Sequence, residues 1–481
     1  MNPFFLSRRS FLAQSASAMI AAPFIARTAL AQESPSSKLG AMVVGLGDRG
    51  GAHVDAMLAD HRTELLYICD PRADRIGNFA SRAKEQQGFA PKIIRDMREA
   101  LSDDKLDIVT CAAVSHWHTL CGIWAMQAGK HVFLEKPICS SIHEGQAITA
   151  AAKKYGKVCQ VGTQRRSHKA QIEAAKFIQE GGIGEATLAR GICYKRRRSI
   201  GPLGQYPIPP GIDYDLWCGP CPDDPPTRHN FHYDWHWQRK YGNGEIGNNG
   251  PHFNDMARWF LGLESFPNSV FSYGGRVGYV DAGDTPNTHV SVYDYGDKTI
   301  VMECRGLETP QVLGVDFGTI VYGSEGYLTS PEPDTTCIAF DLTGREIKRF
   351  TGGGHQFNEF IDAVEKNDPS LVKADARCGA LSAALCHLGE IAYYVGEQNK
   401  LPASEIEKLL KDKPAHHLAT FKDTVGHLGK NGIDANETML SFCGLLTVDP
   451  EAERFVESDA ANKLLMRPYR EGFVVPVPDK V

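Results

Sequence analysis

Residues 41–50 read Ala41-Met42-Val43-Val44-Gly45-Leu46-Gly47-Asp48-Arg49-Gly50. Four apolar residues of strand type run straight into G-x-G-x-x-G, and a helical segment follows through Met57 and Leu58. Glycines at 45, 47 and 50 let the backbone approach a pyrophosphate, and the start of the next helix offers N–H donors and positive potential. Asp48 and Arg49 lie inside that loop and belong to the same candidate dinucleotide site. A second apolar run, Leu65 to Cys69, ends at Asp70, 20 residues beyond Gly50. A carboxylate there accepts the ribose hydroxyls and repels a 2′-phosphate, which favours NAD over NADP as cofactor. Arg72, two residues on, works against that preference, so NADP stays open.

The pattern continues outward from this unit. Helical sequence at 73–88 is followed by an apolar run Asp107 to Ala113, a helix at 118–128 and a run His131 to Leu134. A helix at 142–154 and a strand at 158–162 complete the series. Short apolar strands alternating with amphipathic helices predict a parallel sheet covered on both faces, an α/β Rossmann dinucleotide-binding domain over 38–164. From about 165 the pattern changes. One helix at 168–180 leads to strand-like runs at 186–196, 268–280, 288–294, 298–305 and 317–323, interrupted by a Pro/Gly-rich loop at 200–230. This predicts an α+β domain over 165–400 with a large, mostly antiparallel open sheet, and helices at 355–366 and 376–397 packed back on the body. Residues 401–481 hold a short helix at 403–411 and then little periodicity. They are expected as a C-terminal extension wrapped over the surface.

The chain has 481 residues, 42% apolar and 23% charged, the profile of a globular enzyme with room for two domains. Its formal charge is −6. That argues against nucleic acid or an anionic membrane as the main partner. Thirteen irregularly spaced cysteines do not make a disulfide scaffold. Ser7-Arg8-Arg9-Ser10-Phe11-Leu12 is a twin-arginine pattern, and Ala29-Leu30-Ala31 is an A-x-A cleavage site, so residues 1–31 are expected as a signal peptide for export of the folded protein to the periplasm. Pro23 and Arg27 interrupt the apolar stretch well short of the ~20 residues a spanning helix needs.

Several strings together resemble the Gfo/Idh/MocA oxidoreductases. Glu135-Lys136-Pro137 ends the fourth strand, His116-Trp117-His118 stands before it, and Gly162-Thr163-Gln164-Arg165-Arg166-Ser167 looks like the loop joining that family's two domains. Gly244-Glu245-Ile246-Gly247-Asn248-Asn249-Gly250-Pro251-His252-Phe253-Asn254-Asp255 aligns with the family's histidine motif. Other stretches, such as Phe231 to Trp237, are closer to exported members. The resemblance implies hydride transfer on a carbohydrate or polyol. It assigns Lys136 to the substrate hydroxyl, His252 to acid/base duty, and Glu135, His116, His118 and Gln164 to the cofactor's surroundings. It places Arg166 and Tyr194 by the substrate. Where the family has an aspartate four residues before His252, this chain has Asn248, which orients a hydroxyl but holds no charge. If 248–259 is helical, Asn248 and His252 share a face one turn apart. Asp255 either orients the His252 ring or is a structural carboxylate.

Trp235 and Trp237, with His236 between them, suit a sugar-stacking wall or simple aromatic packing in a half-buried strand. No H-E-x-x-H motif and no convincing acidic partner among these histidines points to a metal. Trp217-Cys218-Gly219-Pro220-Cys221 matches a thioredoxin string, but Pro222-Asp223-Asp224-Pro225-Pro226 cannot carry the long helix that activates such a cysteine. Either a local disulfide or two free thiols remains open there. Little free NAD is expected outside the cytoplasm, so an exported enzyme needs its cofactor held tightly and recycled in place. The leading expectation is an NAD(P)-dependent oxidoreductase. A redox-neutral glycosidase, lyase or epimerase using transient oxidation is the close alternative, and a non-catalytic sugar or nucleotide sensor is the third. An open sheet needs covering, which predicts a homodimer or homotetramer.

Overall fold

The computed structural model describes residues 38–333 and 335–481. The twin-arginine and A-x-A strings at 1–31 lie outside them.

The first domain runs β1 (Leu39–Val44), α1 (Asp48–Ala59), β2 (Thr63–Cys69), α2 (Gly77–Gln87), β3 (Lys92–Ile94), β4 (Leu106–Cys111), α3 (His118–Gln127), β5 (His131–Leu134), α4 (Ile142–Tyr155) and β6 (Cys159–Val161). Among the described residues these six strands form one parallel sheet in the order β3-β2-β1-β4-β5-β6. Helices cover both faces, so Ala41, Met42 and Val43 are all fully buried and the strand reads as continuously apolar. The chain steps outward from β1 to β3 and then returns to place β4 on the other side. That reversal opens a crevice at the carboxyl ends of β1 and β4, where such sheets bind ligands. The glycine turn is sterically required. Gly45 has φ +85°, and a Cβ on Gly50 would stand 1.9 Å from the Gly45 carbonyl oxygen. The short β3, over three residues of which two are exposed, is an addition to the expected series.

The second domain contains α5 (Lys169–Gln179), β7 (Ala186–Cys193), α6 (Tyr214–Cys218), α7 (Gly244–Asn248), α8 (Gly250–Leu261), β8 (Ser269–Gly275), β9 (Thr288–Asp294), β10 (Thr299–Arg305), β11 (Phe317–Gly323), β12 (Gly326–Pro331), β13 (Thr336–Asp341), β14 (Glu346–Thr351), α9 (Gln356–Glu365) and α10 (Ala376–Gly396). It continues with β15 (Lys400–Leu401), α11 (Ala403–Leu410), α12 (Ala415–Lys430), β16 (Leu440–Asp449), β17 (Arg454–Phe455) and α13 (Asp459–Asn462). The sheet is ordered β14-β13-β12-β11-β7-β10-β9-β8-β16-β15, with β7 and β10 parallel and the other pairs antiparallel. Phe253, Met256 and Phe260 of α8 and Leu385 and Leu388 of α10 pack with Ile300, Met302 and Val321 of the sheet. The amino half of α10 also lies against α4, where Ala380 meets Gly145, and so ties the two domains together.

Residues 401–481 are not a surface tail. Ile406 and Leu410 of α11 and Phe421 and Leu428 of α12 bury the other face of the sheet at Phe271, Tyr273, Val290 and Val292. Leu440 to Cys443 then extend the sheet along β8. The apolar residues expected to seek a partner subunit are therefore partly covered by the chain's own C-terminal segment.

Candidate functional site

A cleft of about 300 Å³ lies at the crevice of the first sheet. It is lined by Gly45, Gly47, Asp48, Arg49, Asp70 and Arg72 of the first two β–α turns, by Ser115 and His118, and by Glu135, Lys136, Trp235, His236 and Asn248. The glycine loop and the lysine are thus brought to one cavity, although they stand about ninety residues apart in the chain.

Asp70 ends β2 because its carboxylate caps the neighbouring loops. It accepts N–H bonds from Leu46 at 2.7 Å and from Arg72 at 2.8 Å. Burial raises its pKa, against the pull of those two bonds. The Arg72 guanidinium turns away to Asp74 at 2.7 Å. Arg72 therefore has an anionic partner of its own while it lines the cleft beside Asp70. Replacing Asp70 with serine is expected to raise the NADP-to-NAD preference about tenfold or more, read from the two dissociation constants. An unchanged ratio would remove Asp70 from cofactor choice.

Glu135 is a buried anion held by two partners. It is ion-paired with Arg49 Nε, and His53 Nε2 lies at 3.2 Å. Burial alone would raise its pKa, but the His53 hydrogen bond and the Arg49 charge outweigh this and hold it well below the usual range. Lys136 Nζ donates to the Asn248 backbone oxygen at 2.8 Å. Burial lowers its pKa, and the charges of Glu135 and Glu245 oppose that fall. The result is a desolvated amine facing the cleft, able to take or return a proton.

His252 stands behind this group, 8% exposed and outside the cleft lining. Its Nδ1 is buried with no hydrogen-bond partner among the described residues. Burial, and then the positive charges of Lys136 and Arg165, hold its pKa well below the usual value, so the ring is neutral. The expected shared helical face with Asn248 does not exist. Asn248 ends α7 and His252 belongs to α8, because Asn249-Gly250-Pro251 starts a new helix with proline in its first turn. Asn248 lines the cleft and offers its backbone oxygen to Lys136.

Other expected residues are placed differently. His118 Nδ1 lies 2.6 Å from the Pro137 oxygen, and the His116 ring sits between the Tyr241 and Trp217 oxygens at 3.2 and 3.0 Å. His118 lines the cleft; His116 is packing beneath it. Gln164 lines a separate cavity with His168 and His355. Arg166 Nε pairs with Asp255 at 2.9 Å, and Ser382 Oγ donates to the same carboxylate at 2.7 Å. Asp255 is therefore a structural carboxylate and does not orient His252. The Tyr194 hydroxyl donates to Glu303 at 2.8 Å, away from the cleft. Residues 234–237 form a 3-10 turn rather than a strand. Trp235 and His236 stack in the cleft wall at 3.7 Å, while Trp237 packs under Arg197. His53 and Asn243 were not singled out by sequence; nothing local marks a histidine on α1 or an asparagine before α7.

Cys218 and Cys221 are unbridged and buried. Burial pushes their thiols up to about 11 and about 12, the reverse of an activated cysteine. Cys218 also ends α6 instead of starting a long helix.

Burial brings several histidines down together: His116 and His289 to about 4 and His236 to about 3. Their folded pKa values lie below the unfolded value of about 6.5. The unfolded chain therefore binds more protons below that pH, and stability is fully present above it and lost as pH falls toward 4. The urea midpoint is expected to fall steadily between pH 7 and pH 5. A flat profile across that window would contradict the buried neutral rings.

Comparison with known proteins agrees with this arrangement. Residues 39–163 match the oxidoreductase family's NAD-binding Rossmann fold, and residues 200–427 match the same family's C-terminal alpha/beta domain. Levoglucosan dehydrogenase from Pseudarthrobacter phenanthrenivorans is 29% identical over 228 residues, 45% of this chain and 51% of that protein. A glycosyl hydrolase family 109 protein from a Shewanella species is 27% identical over 146 residues, 30% of this chain and 32% of that protein. The chain thus spans about half the length, or less, of the curated relatives it matches. The solved structure of levoglucosan dehydrogenase in complex with NADH and levoglucosan superposes with TM-score 0.56 at 18% identity, covering 74% of this chain and 97% of that one. Two adjoining family domains, in their expected order and carrying the glycine loop and the Glu135-Lys136-Pro137 corner in one cleft, make this chain a member of the Gfo/Idh/MocA oxidoreductase family.

Proposed function

We propose that this protein is an NAD-dependent oxidoreductase that moves hydride between a tightly held cofactor and a sugar, polyol or glycoside. The observation that carries this is the single cleft joining Asp70 and the glycine loop to the buried amine of Lys136. The cofactor end fits a dinucleotide. Gly47 makes no side-chain cap, so the amino end of α1 stays open to a pyrophosphate, and a Cβ at Gly47 would meet nothing nearer than His232 at 4.0 Å. Gly45, Gly47 and Gly50 would hold the diphosphate and Asp70 the ribose. Bound NAD supplies the hydride acceptor or donor. Lys136 takes the hydroxyl proton as the substrate is oxidised and gives it back on reduction. The Asn248 carbonyl aims the amine, and the neutral His252 behind it adds no competing charge. Trp235 and His236 present a flat surface to a sugar ring.

The relative in glycosyl hydrolase family 109 supports a second reading, in which the hydride returns to the same substrate and a glycosidic bond is cleaved without net oxidation. The two readings separate in one experiment. Purified protein without added nucleotide receives a panel of sugars and glycosides while near-UV absorbance and products are followed. A rise that stops at one equivalent of enzyme supports the oxidoreductase. Product without lasting absorbance supports the redox-neutral reaction. Bound nucleotide with neither would leave a sensor.

Export through the twin-arginine route to the periplasm is part of the same proposal, supported by Ser7-Arg8-Arg9-Ser10-Phe11-Leu12 and Ala29-Leu30-Ala31. Arg8→Lys with Arg9→Lys should retain the protein in the cytoplasmic fraction; periplasmic recovery of that variant would refute the route. A homodimer or homotetramer is also proposed. The face at β8–β10 is covered by α11 and α12, so assembly would use the strip from β11 to β14, where Leu342 and Ile347 are exposed. Sedimentation equilibrium as monomer would overturn it.

A further inference from the structure

A second cavity of about 480 Å³ lies beyond the cofactor cleft, behind His116 and Asn243. Asn243 lines the cleft, and its amide donates to Glu390 Oε2 at 2.6 Å in the second cavity. The walls include Ser140 just before α4, Glu390 and Tyr394 of α10, and Arg467 and Tyr469 from the C-terminal segment, with Cys221, Arg239 and Asp284 from intervening loops. Four of these lining residues carry a buried polar atom with no hydrogen-bond partner among the described residues: Ser140 Oγ, Glu390 Oε1, Tyr394 OH and Arg467 Nη1. Ser140 is 1% exposed, and Glu390 and Tyr394 are each 7% exposed. Unmet buried polar groups are uncommon in folded proteins, and a cluster of them around a cavity of ligand size calls for a bound group.

The chemistry of the four atoms narrows that group. Glu390 Oε1 can only accept and would repel an anion. Arg467 Nη1 can only donate and would repel a cation. The two side chains stand 3.8 Å apart, and the other charged lining residues, Arg239, Lys240 and Lys463 against Glu144 and Asp284, leave the two signs nearly balanced. Ser140 and Tyr394 do either duty. A hydroxyl donates and accepts at once, and several on a small ring would satisfy all four atoms. The Tyr469 ring adds an apolar face, while the Tyr394 ring is covered on one side by the Arg239 guanidinium, 3.6 Å from its centre. We propose that this cavity is a second binding site, separate from the cofactor cleft, for a neutral polyhydroxy ligand, a sugar or polyol. Residues 463–469 then complete a binding pocket rather than merely covering the body.

Crystals of the full chain soaked in glucose, in myo-inositol or in inorganic phosphate test it. Glucose or inositol within hydrogen-bond reach of Tyr394 OH, Glu390 and Arg467 is the expected result. Water alone with both polyols, or phosphate as the sole occupant, overturns it. In solution, Tyr394→Phe removes one unpartnered hydroxyl and leaves the ring. It should weaken binding of whichever polyol occupies the site about five- to tenfold, with NAD affinity and the thermal midpoint of the unliganded protein unchanged. Polyol affinity unchanged in both Tyr394→Phe and Glu390→Gln would also overturn it. Neither result depends on which reaction the cleft performs.

Discussion

With Lys136 replaced by methionine, turnover is expected to fall about 10²–10⁴-fold, the range for loss of a positioned acid/base, while NAD affinity changes little. Methionine keeps the apolar stem and removes the amine that donates to the Asn248 oxygen. The pH profile distinguishes chemistry from packing. Burial lowers the lysine pKa, so substrate oxidation should rise with pH through a value below the usual lysine range as the neutral amine appears. In the variant the residual rate should lose that rise. Turnover within a few-fold of the parent, or an unaltered profile, would remove Lys136 from proton transfer and return it to the role of a buried structural cation.

Arg166→Met should cost about 3–5 kcal/mol of stability, because it removes the nearest charge partner of a buried carboxylate and leaves it the Ser382 hydroxyl and Arg258 at 3.9 Å. Asp255 is fully buried and receives two contacts from Arg166 Nε, at 2.9 and 3.0 Å. The guanidinium also lies 5.1 Å from the Trp259 ring centre, so its removal forfeits packing as well. Pairing Arg166→Met with Asp255→Leu should recover only part of the loss, since the buried Arg258, 3.9 Å from that carboxylate, then keeps Glu264 and Ser382 but loses Asp255. Urea unfolding of the two variants measures both. A loss under about 1 kcal/mol for the single variant would show that water reaches Asp255.

These two residues also mark the limit of what the chain reveals when read as a string. Lys136 was legible because it ends an apolar run before a proline, at the edge of the sheet where ligands bind. Arg166 and Asp255 carry the same residue types as a substrate clamp, and only the fold shows them facing each other. The break between Asn248 and His252 had a local signal, Pro251 in the first turn of α8 after Gly250. The strands of the first domain were clear because both faces of β1 and β4 are buried. β14 was not, because an edge strand reading Glu346 to Thr351 has one buried position, Phe350. β16 hid for a related reason: Leu440 to Cys443 are buried, and Gly444 to Thr447 are open to solvent on most sides, so no single period spans it. The second cavity had no sequence signal at all, since its four polar atoms come from three segments spread between Ser140 and Arg467.

The pairing of β16 with β8 bears on how the chain is made. Ser441 stands opposite Gly274, about 170 residues earlier. At translation rates of ~5–20 residues per second, the edge of β8 waits roughly 10–30 s for its neighbour. During that interval a row of unpaired backbone groups is presented by a nascent chain, a template for pairing with another copy. Chains released before Leu440 would keep that edge for good. A ribosome stall or nonsense codon between the codons for Gly275 and Leu440 should therefore direct the product toward aggregation or proteolysis.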